Sequence, residues 1–163
     1  MDEMDWERRL ASLWASIDDR SEDGFLAAVE TLVAELPTDD PVGLFERASA
    51  FDSTGHSDLA VGRYRQALEG GLSGQRRRRA VIQLASSLRN VGEAHESVAL
   101  LSAELDAGSD DLDDAVCAFF ALALTSVGRE REAISVALTA LAPHLTRYNR
   151  SVANYAGEIL TQD

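Results

Sequence analysis

Three glycines, Gly55, Gly92 and Gly128, punctuate the chain at intervals of 37 and 36 residues. Each ends one helical pattern and opens another. Seven positions before them stand Ala48, Ala85 and Ala121; five positions after them stand Ala60, Ser97 and Ala133. Small residues at matching places let the two helices of each reversal approach closely. A repeat of this period specifies stacked helical hairpins, because no single hairpin can hide its apolar face alone. Strand signals are absent, and apolar residues recur at helical spacing.

The periodicity predicts about nine helices. The first covers 4–18, with Trp6, Leu10, Leu13, Trp14 and Ile17 as its stripe. Ser21 caps the second, which buries Phe25, Val29, Leu32, Val33 and Leu36 and is stopped by Pro37. Asp40 and Pro41 start the third, with Leu44, Ala48 and Phe51 on one face. The fourth carries Ala60, Tyr64, Ala67 and Leu68, and the fifth Val81, Leu84, Ala85 and Leu88. The sixth presents Val98, Leu101 and Leu105. Ser109 or Asp110 caps the seventh, with Cys117, Phe120, Ala121 and Leu124. The eighth turns Ile134, Ala137, Leu138 and Leu141 inward until Pro143, and a last helix over 145–161 buries Leu145, Tyr148, Val152, Tyr155 and Ile159. Short connections make neighbours antiparallel. The expected organisation is one domain, 1–163: an N-terminal capping hairpin over 1–37, three repeats over 41–143, and a C-terminal capping helix over 144–163.

Charge narrows the partners. Asp and Glu number 28 against 15 basic residues, a net charge of −13. Such a surface repels phosphate backbones and anionic lipid, so neither nucleic acid nor a membrane is expected. All 15 basic residues are Arg. The single cysteine, Cys117, sits in an apolar run and reads as a buried inert thiol. That run is too short to span a bilayer, and the acidic start MDEMDWERR lacks a signal-peptide core, so a soluble cytoplasmic chain is expected.

No catalytic constellation emerges. His56, His95 and His144 all fall at turns, without metal-ligand spacing. Gly70, Gly71 and Gly74 lack the lysine and the strand of a phosphate loop. The Asp pairs beginning at 18, 39, 110 and 113 are explained mostly by helix starts, where negative charge offsets the helix dipole. No metal, cofactor or enzymatic activity is expected. The run Arg76–Arg79 reads either as a solvated helix start or as an anchor for a partner's carboxylates.

With these residues in place the chain resembles the tetratricopeptide repeat family. Leu44, Ala48, Phe51, Gly55, Ala60, Tyr64 and Ala67 carry the resemblance in one repeat, and Val81, Ala85, Leu88, Gly92, Ser97 and Leu101 in the next. Cys117, Ala121, Leu124, Gly128, Ala133, Ala137, Ala140 and Pro143 carry it in the third. No Trp opens a repeat, and Glu104 stands where the family usually has Ala. The pattern is similar to divergent members from GC-rich bacteria. The resemblance implies an all-α, right-handed superhelix whose first helices line a concave groove. That groove would be lined by Phe45, Ser49 and Asp52, by Arg79, Gln83, Ser86, Arg89 and Asn90, and by Phe119 and Leu122. Phe45, Ile82, Ser49 and Ser86 stand where a chaperone-tail clamp would have its basic and Asn residues, which argues against that mode. The implied function is a non-catalytic scaffold that binds a peptide or helix of a protein partner. The alternative is a self-assembling, homodimeric structural or regulatory module whose groove its own chain fills.

Overall fold

The computed structural model describes residues 3–161, with residue 3 described by its backbone alone. The outermost residues of the two expected caps, 1–2 and 162–163, lie outside the described residues. Nine α-helices and no strand occur among the described residues: α1 Glu3–Trp14, α2 Glu22–Val33, α3 Pro41–Ser53, α4 Ser57–Glu69, α5 Gly74–Asn90, α6 Ala94–Ala107, α7 Asp113–Thr125, α8 Glu130–Leu141 and α9 Asn149–Glu158. The all-α class read from the repeat is therefore the observed one. The chain divides into two compact units, Met1–Gln83 and Leu84–Asp163, with the division inside α5.

The three repeated glycines adopt one conformation. Their φ angles are +88°, +94° and +75°, the left-handed region that a Cβ disfavours. After each, the next amide reaches back five residues: His56 to the Phe51 carbonyl at 2.8 Å, Glu93 to Leu88 at 2.8 Å and Arg129 to Leu124 at 3.0 Å. Those bonds satisfy carbonyls that the ending helix leaves unpaired. The sequence repeat is thus a repeated backbone motif.

In the first unit, Ser21 caps α2 by accepting from the Gly24 amide at 3.2 Å. Asp40 caps α3 by accepting from the Val42 and Gly43 amides at 2.9 and 3.1 Å, with Pro41 at the first helical position. α1 and α2 close over one apolar cluster of Trp6, Leu10, Leu13, Phe25, Val29, Leu32 and Val33. The Trp6 indole N–H donates to the Leu32 carbonyl at 3.0 Å, satisfying its polar edge inside that cluster. α3 packs on α2 and most extensively on α4.

Two expected ends shift here. α1 stops at Trp14, and Ile17 falls in a 3-10 turn, Ile17–Asp19. α2 ends at Val33, before Pro37, because the chain already turns at Ala34. Ala48 is fully buried as expected, but Leu44 and Phe51 are only half-buried, and Phe45, Glu46 and Ser49 are buried beside Ala48 instead.

In the second unit, α7 packs against α6 and α8, and α8 against α9. Ser97 ties α6 to the end of α5 by donating to the Ala85 carbonyl at 2.7 Å. Neither Ser109 nor Asp110 is the N-cap of α7; that position is Leu112. Asp110 instead accepts from the Leu112 amide at 2.8 Å, and Asp113 accepts from the Ser109 hydroxyl and the Asp110 amide, so the acids brace the preceding turn.

The registers of α8 and α9 also differ from expectation. Ile134 is 50% and Leu141 48% exposed, while Ala133 and Ser135 are buried. Tyr148 and Tyr155 are exposed, and Ala156 is the buried residue of α9. The cause is local. Tyr148 takes φ +67°, and the Asn149 amide group donates to the Ala142 and Leu145 carbonyls, so the helix starts late. Cys117, expected to be buried, is half-buried.

Candidate functional site

The expected contact residues are distributed between the two units, and each unit holds its own set. In the first, Phe45 and Ser49 do not offer surface. Phe45 is 0% and Ser49 1% exposed. The Phe45 ring lies 6.2 Å from Tyr64, centroid to centroid, and the Arg79 guanidinium sits 5.3 Å above it. The Tyr64 hydroxyl donates to Ser49 Oγ at 3.4 Å, and Ser49 donates to Gln83 Oε1 at 3.3 Å. Burial pushes the Tyr64 phenol well above its ordinary pKa, which keeps it a neutral donor. Phe45 and Ser49 therefore form a floor, and Arg79 and Gln83 of α5 lie over it. Asp52, half-buried, accepts from the Ser57 hydroxyl at 3.2 Å.

Beside this floor lies a charged clasp that the sequence reading missed. Glu46 is 2% exposed. Its carboxylate accepts from the Trp14 indole at 2.9 Å and from Arg76 Nε at 3.1 Å. The two terminal nitrogens of Arg76 donate to the Glu7 carboxylate at 2.9 and 2.6 Å. One guanidinium thus joins α1, α3 and α5. Hydrogen bonding to Glu7 is the largest influence raising the Arg76 pKa, so the charge is fixed. A buried carboxylate needs such a partner, because leaving it unpaired costs several kcal/mol. The expectation of a solvated Arg76–Arg79 run is corrected at Arg76, committed to the clasp, and at Arg78, 6% exposed. Arg79 is exposed, with its guanidinium above Phe45 and no ion pair among the described residues.

Arg79 borders two cavities. One of about 460 Å³ is lined by Pro41, Val42, Ser73, Gln75 and Arg76 in addition to it. The other, about 380 Å³, is lined by Glu7, Leu10, Trp14, Glu46 and Arg76 in addition to it. An accessible guanidinium between two hollows of mixed polar and apolar lining can pair with a carboxylate.

In the second unit, Ser86 and Arg89 are half-buried and Asn90 is exposed at the end of α5. Arg89 donates to the Asn90 side-chain carbonyl at 3.3 Å. On α7, Phe119 is half-buried and Leu122, one turn on, is 46% exposed. Among the described residues no group of three or more His, Cys, Asp or Glu side chains is placed to hold a metal, and no helix is long and apolar enough to cross a membrane.

A family model described as Tetratrico peptide repeat matches residues 41–159. Comparison with curated proteins finds no match, and comparison with solved structures finds none.

Proposed function

The chain belongs to the tetratricopeptide repeat family, and on that premise we propose that it is a non-catalytic scaffold holding a peptide or helix of another protein. The observation that carries this reading is Arg79: an accessible cation in an acidic chain, with no ion pair among the described residues and flanked by two cavities. In the first unit Asp52, Arg79 and Gln83 are the contact residues, and Phe45 and Ser49 support them from below. In the second, Ser86, Arg89 and Asn90 supply polar contacts, and Phe119 and Leu122 supply an apolar anchor.

The test is cross-linking in lysate followed by peptide identification, comparing the native chain with Arg79→Glu and Leu122→Asp. Both side chains are accessible, so the fold should survive. Loss of the same cross-linked protein from at least one variant supports the scaffold; retention in both sinks the contact assignment.

A second reading, homodimeric self-assembly, draws on Ile134 and Leu141. They lie two turns apart on α8, both about half exposed. Sedimentation over a range of concentrations separates it from the first: a dimer that Ile134→Asp dissociates would favour self-assembly.

A further inference from the structure

In the second unit, α9 is covered on too narrow a face for the apolar stripe it carries. Tyr148, Val152, Tyr155 and Ile159 follow one another at steps of four, three and four residues, the spacing of a helix–helix seam. α9 packs against α8 and the Ala142–His144 turn. That packing buries Ala156 and half-buries Val152 and Ile159, but leaves Tyr148 75% and Tyr155 63% exposed. Leu160, just past the helix, is exposed as well. Tyrosine suits a contact between proteins, because its ring can be covered while its hydroxyl stays at the wet edge.

The charges along α9 oppose its own dipole. Arg147 and Arg150 stand at its start, where unpaired N–H groups make the helix end positive. Glu158 is its last residue, where unpaired carbonyls make the end negative. Arg131 of α8 donates to the Ile159 carbonyl at 2.6 Å and so meets the backbone there. Arg147, Arg150 and Glu158 are all exposed, and none has an ion pair among the described residues. Both placements are unfavourable within one chain. Both are relieved by a second such helix lying antiparallel, whose negative end meets this positive one.

We propose that this face of α9 is where two copies of the chain pair, antiparallel about a two-fold axis. The pairing rests on the second reading above, self-assembly, with α9 as its surface in place of Ile134 and Leu141 of α8. An axis between Ala153 and Asn154 sets Val152 at the level of Tyr155 of the second copy, and Tyr148 at the level of its Ile159. Glu158 then faces the start of the other helix, where Arg147 and Arg150 stand. Charge selects the occupant. An acidic segment of another protein would satisfy the two arginines and leave Glu158 opposed; a basic one would do the reverse. A second copy satisfies both ends at once. Residues 145–161 carry two Arg against one Glu, so copies of a chain with net charge −13 approach there with little repulsion.

The experiment is sedimentation of the full chain over a range of concentrations. The native chain should dimerise, and Tyr155→Asp should leave a monomer with unchanged helical circular dichroism. Glu158→Arg, and separately Arg147→Glu with Arg150→Glu, should each weaken the dimer about 10-fold, since a two-fold axis makes every substitution act twice. Mixing those two variants should restore the dimer, because one then carries three positive charges on α9 and the other three negative. Damage confined to either variant's own helix could not be rescued in this way. Arg79→Glu should leave the dimer unchanged, which keeps the test apart from the scaffold contacts. The pairing is overturned if mixing restores nothing. It is equally overturned if Ile134→Asp dissociates a dimer that Tyr155→Asp leaves intact, in which case self-assembly stands and α9 is not its surface. A chain that stays monomeric at every concentration overturns both; if it then loses a cross-linked protein from lysate on Tyr155→Asp, that protein is the occupant.

Discussion

Tyr64 shows how one side chain ties packing to solution behaviour. Its ring is fully buried and its pKa is raised by that burial. An acid whose folded pKa exceeds its unfolded one stabilises the fold below the unfolded value, about 10, and loses that contribution as pH rises beyond it. The chain has no Lys to titrate in that range. Urea unfolding should therefore show stability declining above about pH 10, by up to about 1.4 kcal/mol per pH unit. In Tyr64→Phe the decline should largely vanish. An unchanged alkaline slope would rule out Tyr64 as its origin. Carboxylates act in the opposite direction. Hydrogen bonding to Arg47 holds the Glu30 carboxyl below its usual pKa, so that contribution is lost as pH falls through the acidic range.

At the scale of elements, the glycine turns carry the architecture. Gly92 has φ +94° and open space around its missing Cβ, so alanine there meets backbone strain and no clash. Gly92→Ala should cost about 1–2 kcal/mol in thermal or urea unfolding. A neutral result would mean that the turn relaxes without consequence. These turns were legible because they depend on residues adjacent in sequence, as did the Ser21 and Asp40 caps. What was not legible depended on distant partners. Nothing near Phe45 announces that Tyr64 and Arg79 will cover it, and Glu7 meets Arg76 across 69 residues. An acid within a buried stretch, Glu46 between Phe45 and Ala48, was the available sign of a clasp. The α9 register failed for another reason: helical spacing cannot foresee a left-handed Tyr148.

For the molecule as a whole, family membership accounts for stacked hairpins, and the excess of 13 negative charges disfavours polyanionic partners. Within that frame the chain's two indoles are unevenly placed. Trp6 and Trp14 both belong to α1, and Trp14 lines the 380 Å³ cavity with Arg79. The second unit has no indole at all. Intrinsic emission is consequently a built-in lamp that lights one half of the protein. A ligand seated beside Arg79 should change its colour or brightness, and one gripping Leu122 should leave it dark to the event; if both dim it equally, the lamp reads something other than its own cavity.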